Sequence, residues 1–137
     1  MSNLNPVNSF EYAEGMFTTV IGRSTEEHTI ILEPNLIKLP DGKGMMMSWT
    51  KGGSFEPDDA NVTSYRRSYD GGRTWDEAKI LFSHSTKGLY TPELSVAGGK
   101  IFAFPSTYAG TRDYERDFTS FISISEDGGE TFTTPHS

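Results

Sequence analysis

The sequence predicts an all-β fold built from two copies of one four-stranded antiparallel unit, and three observations predict it. Fourteen glycines and seven prolines cut the 137 residues into short segments, the punctuation expected between strands rather than within helices. Almost no segment carries a helical period, whereas short β-branched and aromatic runs recur. Most telling, the stretch SYDGGRTW (Ser68–Trp75) returns as SEDGGETF (Ser125–Phe132), with Asp70 and Asp127 standing 57 positions apart. A fixed internal period is the signature of a repeated structural unit.

The repeat extends beyond the octapeptide. Pro34-Asn35-Leu36 opens one unit and Pro92-Glu93-Leu94 the next, and LPDGKG (Leu39–Gly44) and VAGGKI (Val96–Ile101) both read as tight turns. Each unit therefore reads as strand, Gly turn, strand, longer polar loop, strand, Gly turn, strand. In the first unit the strands are predicted near Pro34–Leu39, Met45–Thr50, Val62–Ser68 and Thr74–Leu81. In the second they are predicted near Pro92–Val96, Lys100–Thr107, Thr119–Ser125 and from Thr131 onward. Two further β-like runs, MFTTVIG and HTIIL, precede them.

The octapeptide falls between the third and fourth strands, where a hairpin turn is needed. An Asp at the head of such a turn accepts hydrogen bonds from backbone N–H groups ahead of it. Gly72 and Gly129 suit the positive φ the turn demands. Thr74 and Thr131 would start the return strand, with Trp75 or Phe132 packing beneath the turn.

Composition narrows the partners. A net charge of −7 argues against nucleic acid or an anionic membrane surface, both of which call for a basic face. There is no Cys, hence no disulfide framework and no thiolate chemistry. His28, His84 and His136 lack metal-ligand spacing, so neither metal nor cofactor is expected. No signal peptide or membrane-spanning run is visible, and the chain reads as soluble, cytoplasmic by default. Asn61-Val62-Thr63 matches a glycosylation sequon.

The pattern S-x-D-x-G-x-T-[WF], at Ser68, Asp70, Gly72, Thr74, Trp75 and again at Ser125, Asp127, Gly129, Thr131, Phe132, resembles the Asp-box, or BNR repeat, of the sialidase (neuraminidase) superfamily. The resemblance runs from about Glu33 to the C-terminus. It implies four-stranded blades of a six-bladed β-propeller, with each box closing an outer hairpin as a structural device away from substrate. Residues 33–83 would form a first blade, residues 84–137 a second one cut within its fourth strand, and residues 1–32 a leading segment with a possible ring-closing strand. Two units fall short of a closed ring. The chain is therefore expected to be a fragment whose open faces require missing blades or, alternatively, self-association of several copies.

Up-and-down strands place both Asp-boxes and both first turns at one end. The opposite end carries KGGSFEPDDAN (Lys51–Asn61), HSTKGLYTPE (His84–Glu93) and STYAGTRDYERD (Ser106–Asp117), polar loops of the kind that carry function. Sialidases use three Arg to hold the substrate carboxylate, a Tyr assisted by a Glu as nucleophile, and an Asp as acid/base, a departure from the two-carboxylate scheme of most glycosidases. That Asp lies upstream of an R-R-S-x-D-x-G stretch. Here the stretch is Tyr65–Gly72, and the resemblance points to Asp59 or Asp58 as the acid/base. Candidate substrate-binding residues are Glu33, Lys51, Asn61, Tyr90, Glu93, Arg112 and Arg116. Glu33 stands where the family's first Arg opens the strand, and a carboxylate there would repel an anionic sugar. The expected function is thus part of a sialidase-like glycoside hydrolase acting on glycans, inactive as an isolated chain. The alternative is a non-catalytic Asp-box module binding glycans or proteins.

Overall fold

A computed structural model describes residues 19–27, 29–54, 58–108 and 118–137. Among them are eight strands in two antiparallel sheets and no helix. The first sheet runs β1 (Ile30–Lys38), β2 (Met45–Gly52), β3 (Val62–Ser68), β4 (Lys79–Phe82) in sequential order. The second comprises β5 (Gly88–Ala97), β6 (Lys100–Tyr108), and β7 (Thr119–Ser120) and β8 (Ser123–Ser125), which both pair with β6. The two sheets are thus copies of one unit, as the repeat predicts.

Both first strands start four residues earlier than expected, because the prolines do not open them. Pro34 falls in a register shift between Leu32 and Asn35, and Pro92 in the equivalent shift between Tyr90 and Glu93. A bulge relieves the ladder of a donor that proline lacks, so each strand continues through its proline. The bulge in β1 also puts Glu33 at φ 53, a left-handed conformation uncommon outside glycine. Of the two leading β-like runs, Ile30–Leu32 belongs to β1, while the described part of the other, Thr19–Gly22, is not strand.

The third strands follow the sequence more closely. β3 has the predicted bounds; the predicted Thr119–Ser125 strand is split into β7 and β8. The break faces Pro105 of β6, whose carbonyl accepts from Phe121 N at 2.9 Å but which has no N–H to return. The fourth strands differ most. β4 begins at Lys79 rather than Thr74, and after Thr131 only an isolated bridge between His136 and Ile122 forms.

One face of the first sheet packs on the second. Alternation along β2 and β3 points Met46, Ser48, Thr50, Tyr65 and Arg67 to this side, and all five are buried. Met46, Leu39 and Tyr65 form a cluster with Ile101 from the second sheet, and Phe82, Leu89 and Ala103 form another. The equivalent outward face of the second sheet leaves Phe104 exposed.

Each octapeptide is a hydrogen-bonded cradle around its Asp. Asp70 accepts from Thr74 N at 2.8 Å, Thr74 Oγ1 at 2.6 Å and Ser68 Oγ at 3.0 Å, while Ser68 Oγ accepts from Gly72 N at 2.8 Å. Asp127 repeats this with Thr131 N at 2.9 Å, Thr131 Oγ1 at 2.5 Å and Ser125 Oγ at 2.8 Å, and Ser125 Oγ accepts from Gly129 N at 2.8 Å. Gly72 and Gly129 have φ 87 and 85, as the turn requires. Trp75 closes the first cradle by donating Nε1–H to the Gly72 carbonyl at 2.9 Å.

The donors around each Asp stabilise its ionised form. Hydrogen bonds from the Thr74 and Thr131 side chains, chiefly, lower Asp70 and Asp127 to about 2. Their contribution to stability is therefore complete above the unfolded carboxylate value near pH 4 and is lost as pH falls through about 2. Urea midpoints measured from pH 5 to pH 2 should drop across that window. Asp70→Asn and Asp127→Asn should each flatten the drop, and an unchanged pH slope in both variants would show that the cradles do not sense acid.

Candidate functional site

The end opposite the two cradles gathers the C-terminal ends of β2, β4 and β6 and the N-terminal ends of β3 and β5. Its centre is the turn before β3. Asp58 folds this turn on itself: its Oδ1 accepts from Ala60 N at 2.9 Å, and its carbonyl accepts from Asn61 N at 2.9 Å, an Asx-type turn. Its Oδ2 also accepts from Ser54 N at 3.4 Å. Asp59, next to it, is exposed and has no hydrogen-bond partner among the described residues. The two neighbouring carboxylates therefore occupy different situations: one is engaged with its own loop, the other is presented to solvent.

Asn61 ties this turn to the second sheet. It is completely buried, donates Nδ2–H to the Tyr108 hydroxyl at 2.5 Å, and its carbonyl accepts from Leu89 N at 3.1 Å. Such burial closes the sequon at Asn61 to glycosylation in the folded chain. Tyr108 lies against Tyr90, ring centroids 4.4 Å apart, and Tyr90 also meets Phe118 at 6.0 Å. The result is a line of three aromatic rings starting at the Asn61 amide. Glycines let these parts approach. A Cβ on Gly53 would collide with the Asp58 carboxylate, and one on Gly52 with the Asn61 side chain.

Across the sheet interface, the Thr50 and Thr91 hydroxyls meet at 2.5 Å, beside the two proline bulges. Glu33 is exposed in the first bulge, and Glu93 is exposed at the edge of the second. Lys51 is half-buried on β2. Asn61 and Tyr90 are thus linked through Tyr108, and Asp58 joins them through the turn. Among the described residues, the side chains of Glu33, Lys51 and Glu93 make no hydrogen bond or ion pair to that group. Arg112 and Arg116 lie outside the described residues.

Sequence reasoning overlooked two residues of this end. Tyr108 sits inside the stretch Ser106–Asp117, and its aromatic character among polar neighbours was the available signal. Thr91 had none, because a threonine beside a proline is unremarkable in a strand.

No protein-family model and no curated protein matches the sequence. Solved structures do resemble it. A protein of unknown function from Dyadobacter fermentans superposes with TM-score 0.67 at 20% identity, covering 82% of this chain and 37% of its own. The Hadza microbial sialidase Hz136 superposes with TM-score 0.66 at 16% identity, covering 80% of this chain and 26% of its own. The fold is therefore one that a sialidase also uses. This chain spans well under half the length of either neighbour.

Proposed function

We propose that the chain is part of a sialidase-like glycoside hydrolase of the exo-α-sialidase type acting on glycans, and that its two sheets are consecutive blades of a six-bladed β-propeller. The observation that carries this reading is the pair of superimposable Asp-centred cradles at the same corner of successive four-stranded sheets. The fold likeness to a sialidase supports it. On this reading residues 33–83 and 84–137 are the blades, with residues 1–32 a leading segment whose described part adds no strand beyond the start of β1. The exposed face bearing Phe104 awaits a further blade or another copy.

Asp59 is the acid/base in this proposal. It lies in the loop upstream of Arg66-Arg67-Ser68, and its carboxylate is exposed where Asp58 is held by its turn. Lys51, Tyr90 and Glu93 are the sugar-contacting candidates around it, buried Asn61 holds the floor of the site through Tyr108, and Arg112 and Arg116, outside the described residues, are kept as candidates from the sequence alone. The nucleophile and most of the carboxylate-binding arginines come from outside this chain, so the isolated chain is inactive.

The test is hydrolysis of a fluorogenic sialoside, with neutral glycosides alongside, by a longer protein containing this sequence and by its Asp59→Asn variant. The parent should turn over at least one substrate, and the variant should lose about 100-fold or more in kcat. Full activity without Asp59 would remove it from the chemistry. Glu33 favours a second reading, a non-catalytic Asp-box module, since a carboxylate at that strand position opposes an anionic sugar. Glycan binding with no hydrolysis of any glycoside would decide for it.

A further inference from the structure

The face of the first sheet turned away from the second carries an open cavity of about 520 Å³, lined by Val20, Ile21, Gly22, Arg23 and Arg66. We propose that it binds the phosphate group of a small organic phosphate monoester through its two guanidinium groups. This site is separate from the proposed sugar chemistry and stands equally for a non-catalytic chain.

Charge is the first argument. Arg66 and Arg67 are neighbours on β3 and so belong to opposite faces of the sheet. Arg67 faces the second sheet and is paired with Asp76 and Glu130. Arg66 is half-buried, and neither it nor Arg23 makes an ion pair or hydrogen bond among the described residues. Carboxylates are not scarce in a chain with nineteen acidic residues against twelve basic ones. Two like charges at one cavity repel each other, and with no carboxylate of the chain placed between them, what balances them is an anion from outside. Burial sharpens the need. Arg66 Nε is shut off from solvent without a partner, so the guanidinium has already lost part of its hydration and no ligand reaches that atom. Its Nη groups are left to meet the cavity, where an anion would supply charge-assisted hydrogen bonds.

Charge and volume together select the anion. A carboxylate brings one negative charge, whereas a phosphate monoester brings about two, spread over three acceptor oxygens. The second matches a pair of guanidinium groups. The volume exceeds what inorganic phosphate fills and falls in the range of small-molecule sites.

The two walls are held in place independently. Arg66 lies within the β2–β3 ladder, opposite Met47. The segment before β1 is anchored on the same face: Thr19 Oγ1 donates to the Gly72 carbonyl at 2.9 Å, and Gly22 lies against Ile31 and Trp49. Arg23 follows Gly22 directly. The backbone N–H groups of residues 20–23 make no hydrogen bond among the described residues, so unpaired main-chain donors belong to the same wall. Donors positioned in advance cost a ligand little affinity for ordering them.

The experiment is isothermal titration calorimetry of the full chain with phenyl phosphate, at low salt and about pH 8, above the second phosphate ionisation at about pH 6. Benzoate and phenol, titrated alongside, separate the phosphate from a single negative charge and from the ring. Phenyl phosphate should saturate at millimolar concentration or below, benzoate should bind about tenfold more weakly, and phenol should not bind. Arg66→Gln and Arg23→Gln should each weaken phenyl phosphate about tenfold, the loss expected for one charged hydrogen bond, with folding checked by circular dichroism. Lys38→Gln removes the same charge from an exposed residue of β1 and should leave the affinity unchanged. Binding that does not saturate at millimolar concentration, equal affinity for benzoate, binding of phenol, an affinity surviving in both arginine variants, or an equal loss in Lys38→Gln would overturn the assignment.

Discussion

Replacing Arg67 with Ala is expected to destabilise the chain by about 3 kcal/mol, about 1 from its ion pairs to partly exposed carboxylates and the rest from the apolar stem it packs between the sheets. Arg67 is 6% exposed and spans three parts of the structure at once. Its Nε donates to Asp76 Oδ2 at 3.3 Å, in the loop after the first cradle. Its Nη1 donates to Glu130 Oε1 at 2.6 Å, inside the second cradle. The same residue's backbone N donates to Asp76 Oδ1 at 2.7 Å and its carbonyl accepts from Asp76 N at 2.9 Å. The guanidinium therefore clamps one repeat's turn to the next, and this ion pair in turn lowers Glu130. The two carboxylates can turn to water when Arg67 is gone, which keeps the ionic share of the loss small. Arg67→Met retains the apolar stem packed in the interface and should lose about 1 kcal/mol. Urea unfolding of the two variants separates stem from charge. Equal losses would assign the effect to the ion pair alone.

The same residue shows where sequence reading succeeds and where it stops. The cradle was legible because each of its bonds is local: Ser68, Asp70, Gly72 and Thr74 lie within seven residues, and their chemistry dictates a turn wherever the chain places it. The strand Val62–Ser68 was legible for a related reason, since it enters that turn directly. The delayed start of β4 was not. It follows from Asp76 reaching back to Arg67 and widening the loop, a contact that competes with the ladder and that no local pattern signals. The prolines misled in a similar way. Pro34 and Pro92 read as strand openers, yet the bulges at both let the strands begin at Ile30 and Gly88.

At the candidate site the limit is again distance along the chain. The Asp58-Asp59 pair and Asn61 stood out as polar residues in a loop. Their division of labour depends on long-range partners: Asn61 meets Tyr108 47 residues away, and Asp58 is confined by the glycine at position 53. Loop composition marks the polar end of such a sheet. It does not tell a residue that builds the end from one that faces a ligand, because both are polar and both recur in loops.

Gly88→Ala tests that construction most severely and should cost about 3 kcal/mol, the upper range for forcing extra volume into a packed site. Gly88 opens β5 and is buried. Its need is space: a Cβ there would meet the Asp58 carbonyl oxygen inside van der Waals contact and the Tyr108 ring carbons at 2.7 Å. Neither obstacle can yield cheaply. The carbonyl belongs to the turn bonded to Asn61 N, and the ring is held by the Asn61 amide on one side and by Tyr90 on the other. Since the closest atom is main chain, trimming the ring in Gly88→Ala/Tyr108→Leu should recover little of the loss in urea unfolding. Near-complete recovery would instead make the ring the obstacle and leave the turn free to move. The distinction bears on the proposed function, because Asp59, the acid/base in that proposal, sits on the turn: in a longer protein with that activity, displacing it by about 1 Å at Gly88 should lower kcat by about 100-fold while the Asp-centred cradles at the far end remain intact.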